Sequence, residues 1–363
     1  MSNRAGVGRR IGVLAAGALA ATGILAVTAV SGAGSAGAAV PDRFGFVLWN
    51  GSAVDPTGTT PTGTTVGVGG LGQYKVDFPG QAAPGGVVHV TAINSIPHFC
   101  EVNSLIVATP DEIVTISCFK AGGAPDYTPF SLIFSSSSGP ASTTAGAFGY
   151  VDSLPSGSLV SQFNSAGLGN SVGHTGIGSW TVKFPGLSTP GPIDGSLQAT
   201  AVVSPSSTAG AMRCKVLNWS SSPSGQVAQV NCYNAAGGFA DSEFMLTYQY
   251  QRSLYGAAFP PKYFGYLWNQ PIGGPPSTNF NSVLGAGGNT ISAGPLSTVK
   301  FPALAILPDD IQVTAAGQGS DFCGLTNPWV HSGSDTIVRD VNCFTNSGSP
   351  IAPGFLISDN SAH

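Results

Sequence analysis

Apolar and polar residues alternate in short runs along most of this chain. In "VVHVTA" (87–92), Val88, Val90 and Ala92 fall on one side, and His89 and Thr91 on the other. "YKVDFPG" (74–80) sets Tyr74, Val76 and Phe78 against Lys75 and Asp77. A period of two marks a strand with one face on a core. It predicts that the polar set, His89 included, faces outward. The runs are bounded by Gly, Pro, Ser and Asn, the residues of tight turns. After residue 38 no stretch sustains the 3.6-residue period of a helix. The expected fold is all-β.

The runs recur in order. "FGFVLWN" (44–50), "FGYVDS" (148–153) and "FGYLWN" (264–269) each open a unit. Then come "YKVDFPG", "SWTVKFPG" (179–186) and "STVKFPA" (297–303), in which Pro79, Pro185 and Pro302 end the strand for want of an N–H. "VHVTA" is matched by "LQATA" (197–201) and "IQVTA" (311–315). Each unit closes on an apolar strand, "FSLIF" (130–134), "FMLTY" (244–248) and "FLIS" (355–358). Self-similarity at this period predicts three tandem antiparallel β-sandwich-like domains, 39–137, 138–255 and 256–363. The expected seams are the Ser/Gly/Ala-rich stretch 135–146 and the stretch 251–262.

The six cysteines fall into local pairs with separations of 18, 18 and 20. Six cysteines allow 15 connectivities. The repeat selects one: Cys100–Cys118, Cys214–Cys232 and Cys323–Cys343. Each bridge is expected to join adjacent or facing strands of one domain, on the core face with Ile116. No C-x-x-C or C-x-x-H spacing points to a metal.

The middle unit, with "SWTVKFPGL", "LQATAVV", "RCKVLNW" and "VNCYNAAGGFADSEFMLTY", carries the pattern most fully. On these residues the chain resembles the repeated β-domains of secreted proteins of high-GC actinobacteria. The resemblance implies export and modular β-structure, and nothing catalytic. The first unit departs from it at Leu105, where the second has Trp219. The third has Trp329 one place later.

The amino terminus changes the picture of location. Arg4, Arg9 and Arg10 precede an apolar run, Ile11 to Val30, and then the small residues Ala36-Gly37-Ala38. That order predicts a secretory signal, 1–38, cleaved after Ala38, and no membrane-spanning segment in the mature chain. Cleavage removes three of the 13 Lys+Arg and none of the 17 Asp+Glu. The acidic remainder argues against a nucleic-acid partner, whose phosphates need basic clusters. The secreted or wall-associated location leaves cell-wall polysaccharide or another surface protein as the expected partner.

Candidate chemistry is sparse. "GNSVG" (169–173) places Ser171 in a G-x-S-x-G pattern beside His174, but no strand-to-helix turn surrounds it. "GVGGLG" (67–72) precedes a strand, so the dinucleotide reading fails on context. Asp126 and Asp241 sit in Gly-rich turns and are expected to cap their own backbone. His98 is expected on a surface loop. Asp111-Glu112 and Asp309-Asp310 precede strands at different places in the repeat, so no paired acids recur. Asp152 replaces the Trp of the "LWN" stretches in the middle unit.

Trp49 and Trp268 are the candidates for stacking on a sugar, against a packing role in the core or a seam. Trp268 lies an even step from Phe264, and Trp49 an odd step from Phe44. Without a bulge, Trp49 is the better candidate for exposure. No catalytic residue, cofactor or metal is expected. The predicted role is a secreted, non-enzymatic structural or adhesive protein, with carbohydrate binding through Trp49 and Trp268 as the alternative.

Overall fold

The computed structural model describes residues 42–137, 146–203, 210–256, 262–270, 278–292 and 296–363. The predicted signal segment lies outside these residues, as do parts of both predicted seams. Every regular element among the described residues is a strand.

The first unit contains β1 (Arg43–Trp49), β2 (Val54–Thr60), β3 (Thr65–Val68), β4 (Gln73–Phe78), β5 (Val87–Ala92), β6 (His98–Ala108), β7 (Asp111–Lys120) and β8 (Phe130–Ser136). The second contains β9 (Ala147–Ser153), β10 (Leu159–Asn164), β11 (Ser171–Gly176), β12 (Ser179–Pro185), β13 (Ser196–Val202), β14 (Met212–Ser222), β15 (Gly225–Asn234) and β16 (Glu243–Tyr250). The third contains β17 (Phe264–Asn269), β18 (Asn279–Asn281), β19 (Gly285–Ala286), β20 (Thr290–Ser292), β21 (Ser297–Phe301) and β22 (Asp309–Ala316). It ends with β23 (Phe322–Leu325), β24 (Val330–Ser332), β25 (Asp335–Phe344), β26 (Pro350–Ile351) and β27 (Gly354–Ser361).

Within each unit the ladders are antiparallel, and two sheets enclose a core. In the first unit, β2-β1-β8-β5 faces β6-β7-β4-β3. Trp49, Val88 and Phe134 from one sheet meet Val76, Phe78 and Ile116 from the other. The second and third units build cores of the same kind around Phe184, Val230 and Leu246, and around Phe301, Val341 and Ile357.

Two recurrent motifs explain each other here. The glycine of each "FG" pair lies against the phenylalanine of the "KFP" or "DFP" strand. A Cβ on Gly149 would stand 2.9 Å from Phe184 Cδ1, and one on Gly265 would stand 3.1 Å from Phe301 Cδ1. Gly45 is closer still to Phe78. Only glycine admits that approach.

The disulfides join directly opposed residues of neighbouring strands, Cys100 to Cys118, Cys214 to Cys232 and Cys323 to Cys343. Cys118 and Cys232 are fully buried. The pairing read from the repeat holds, and of the two placements left open, adjacent or facing strands, the structure has the adjacent one.

The units join through three equivalent parallel pairings. Val102 of β6 pairs with Val202 of β13, and Val216 of β14 pairs with Ala316 of β22. Leu325, at the end of β23, pairs with Ile93, just past β5. The same hydrogen bond forms each time: Val203 N to Val102 O at 2.8 Å, Gly317 N to Val216 O at 2.9 Å, and Asn94 N to Leu325 O at 2.7 Å. Unit one meets unit two, two meets three, and three meets one. The chain closes into a ring.

Ring closure corrects the expected role of the polar strand face. His89 is buried, with Nδ1 3.0 Å from Thr200 Oγ1 and Nε2 2.8 Å from Thr247 Oγ1, both in the second unit. Thr91 Oγ1 donates to Gln312 Oε1 at 2.9 Å and accepts from Val313 N at 2.9 Å, both in the third. The polar residues of β5, β13 and β22 therefore face neighbouring units, not water. Burial without a countercharge lowers the His89 pKa to about 3 and keeps the ring neutral.

Candidate functional site

The three seams between units are built from equivalent positions, and they differ in what fills them. The register of β1, β9 and β17 on β8, β16 and β27 makes Leu48, Asp152 and Trp268 equivalent. Each pairs with the residue following an equivalent phenylalanine: Ser131, Met245 and Leu356. Trp219 and Leu105 are likewise equivalent, opposite Ala228 and Val114. Trp329 precedes Val330, which pairs with Ile337.

Between the second and third units, Trp219 packs on Trp268 with ring centroids 4.7 Å apart. The indole of Trp219 donates to Asp194 O at 2.9 Å. Between the third and first units, Trp329 packs with Leu48 and donates to Asp309 Oδ1 at 2.9 Å. Asp309 also binds His331 Nε2 at 2.7 Å, which raises the histidine pKa. Between the first and second units the positions hold Leu105 and Asp152, and neither carries an indole.

A groove of about 410 Å³ occupies that seam. Leu105, Val107 and Val160 supply apolar wall, and Ser104 and Ser161 supply hydroxyls. Three carboxyls line it: Glu112 from the start of β7, Asp152 from β9 and Glu243 from β16. The equivalents of Glu112 and Glu243 elsewhere carry no acid: Gln226 and Thr336 for Glu112, and Pro129 and Gly354 for Glu243. These two positions are acidic in this seam alone.

Burial pushes the Asp152 pKa up to about 8, with the Glu243 carboxyl and the hydrogen bond to it adding to the effect. Burial raises Glu243 as well. Glu112 is held at about 7 by burial, against the hydrogen bond it accepts from Ala83 N at 3.0 Å. None of the three takes part in an ion pair among the described residues. Asp152 Oδ1 and Glu112 Oε1 are buried without a hydrogen-bond partner.

The stacking candidates lie elsewhere. β1 runs in unbroken register along β8, so no bulge brings Trp49 into line with Trp268. The odd step puts Trp49 on the opposite face, and that face is the core: Trp49 is 6 % exposed and packs edge-on to Tyr74. The expectation of exposure is corrected, because the face carrying Trp268 is the seam. Trp268 is half-buried against Trp219. Packed in this way, the two rings serve core and seam.

Three polar expectations are also corrected. His98 is a buried strand residue, with Nε2 2.9 Å from Asp126 Oδ2. Asp126 accepts from Lys120 as well, and its pKa is lowered chiefly by the His98 bond. Asp241 accepts from Gly178 N at 2.7 Å and His174 Nε2 at 2.9 Å, clamping β11 and β12 to the closing turn. These aspartates tie separate segments together and do not cap their own turns. Ser171 and His174 lie three apart on β11, so they point to opposite sides of a strand.

Glu112, Asp152 and Glu243 escaped the sequence reading as a group. Two signals were present, the loss of Trp at 105 and at 152, but nothing in the sequence says that these positions share a seam. The arrangement is that of an all-β ring with a groove in one seam lined by three carboxyls. No family model, curated protein or solved structure matches the chain. Among the described residues no helix is long and apolar enough to cross a membrane.

Proposed function

We propose that this chain is an exported, non-enzymatic structural or adhesive protein of the cell exterior, a scaffold of three disulfide-closed β-units. The observation that carries the reading is the position of the disulfides. Each unit's first cysteine lies two residues before a junction residue: Cys100 before Val102, Cys214 before Val216 and Cys323 before Leu325. Each bridge pins the strand that holds one unit to the next. Such bridges persist in oxidising surroundings. The basic-apolar-small order of residues 1–38 supports the same compartment.

Fractionation of the producing cells tests this. The chain should be recovered from the medium or the envelope, beginning at Ala39, with three within-unit bridges. Recovery from the cytosol as an uncut, reduced chain overturns the reading. Retention on insoluble wall polysaccharide separates an adhesive role from a purely structural one.

A further inference from the structure

The groove between the first and second units has the features of a binding site for a cation. Glu112 and Asp152 are respectively 0 % and 5 % exposed, yet each has an oxygen without a donor. Unmatched acceptors of this kind are rare in a folded interior because each one costs free energy. At the other two seams the space is filled, by Trp219 on Trp268 and by Trp329 on Leu48. Here two shorter residues leave it open, and the acids stand around the opening.

We propose that this groove binds a primary alkylammonium group, with the –NH₃⁺ held by the neighbouring carboxyls of Asp152 and Glu243 and the alkyl stem along Leu105, Val107 and Val160. An ammonium is a compact point donor that two neighbouring carboxyls can share, whereas a guanidinium asks for a planar, two-point carboxylate. A metal fits less well: among the described residues no group of three or more His, Cys, Asp or Glu is placed to hold one. The apolar wall favours a carbon stem over a hydrated ion. Val107 and Val160 are about half exposed and stand at the mouth, while Met245 and Val202 are buried below. The volume lies in the range of small-molecule sites.

Two sources carry this chemistry, a lysine side chain of a peptide and a free diamine. The inference stands on the groove and does not depend on export of the chain.

Isothermal titration of the folded, oxidised protein at pH 7 tests it, with Nα-acetyl-lysine methylamide and 1,5-diaminopentane as the two probes. Saturable one-to-one binding by either is expected. The probe that binds at least tenfold tighter identifies the source. Binding favours the ionised carboxyls, so it should release protons. The measured heat should change with the ionisation enthalpy of the buffer, and affinity should weaken from pH 7 to pH 5.5. The double variant Asp152→Asn/Glu243→Gln should lose at least tenfold in affinity with its near-ultraviolet circular dichroism unchanged. If that variant does not fold, Leu105→Trp, which fills the groove from the opposite wall, should lose binding in its place. Any of three results overturns the proposal: no saturable binding of either probe, equal binding of 1-pentanol, or calcium chloride binding where neither amine does.

Discussion

Trp219 of the second unit and Trp268 of the third pack at a tilt across a seam, their ring centroids 4.7 Å apart and their planes at 54°. The same two positions in the seam before it are Leu105 and Asp152, and there the groove opens. One pair of positions thus decides whether a seam is a contact or a cavity.

Removing an indole from the filled seam should be costly. Trp219 is almost fully buried and donates to Asp194 O. Trp219→Ala should destabilise the protein by about 3–5 kcal/mol, the range for buried large-to-small changes. A double-mutant cycle with Trp268→Ala should give a coupling of about 0.5–1.5 kcal/mol. Urea unfolding read by fluorescence measures both. Additive losses would show that the two rings do not interact.

The buried acids set a pH dependence. Asp152 is held at about 8 when folded, against about 4 when unfolded, and Glu112 at about 7. A carboxyl with a raised folded pKa favours the folded state in its protonated form. Its contribution is fully present below about pH 4 and is lost progressively as the pH rises to about 8. The melting temperature should therefore fall between pH 5 and pH 8. Asp152→Asn should make that fall shallower. A slope unchanged by the substitution would place the proton elsewhere.

His89 has the opposite sign. Its folded pKa is lowered to about 3 from about 6.5, so the neutral ring is the folded form. Its contribution is present above pH 6.5 and is lost as the pH falls toward 3. His89→Ala should cost about 1–3 kcal/mol at pH 7, because Thr200 and Thr247 lose their partner in a buried place. His89→Gln, which installs the residue found at positions 198 and 312, should cost less and remove the histidine's share of the acid sensitivity. Thermal melts from pH 4 to pH 7 separate the three proteins.

Each disulfide should act alone. Cys214→Ala/Cys232→Ala opens a loop of 18 residues beside the Val216–Ala316 junction. The expected loss is about 3 kcal/mol by chain entropy. Non-reducing peptide mapping of the unaltered protein should recover only within-unit bridges, and a single bridge between units would overturn the arrangement.

The strand content and the cysteine pairing were legible in the sequence because each rests on local spacing. The alternation in "VVHVTA" gives a strand, and three pairs at nearly equal separation give three bridges. The Trp49 register was legible in part: an odd step from Phe44 means the opposite face. Which face was the core could not be read, since "FGFVLWN" is apolar on both sides.

Alternation along β5, β13 and β22 thus determined that each strand has two unlike faces. It did not determine what lies against the second. Tertiary structure placed His89 against Thr200 and Thr91 against Gln312, and so turned a face that reads as solvent-facing into an interior. Ring closure joins residues about 100 or more positions apart, through hydrogen bonds such as Val203 to Val102 and Asn94 to Leu325 and through the packed seams beside them. A contact of that range leaves no period in the chain. The groove follows from the same cause: Leu105 and Asp152 are ordinary residues until the ring brings them together, and only then does the absence of two indoles become a space lined with acids.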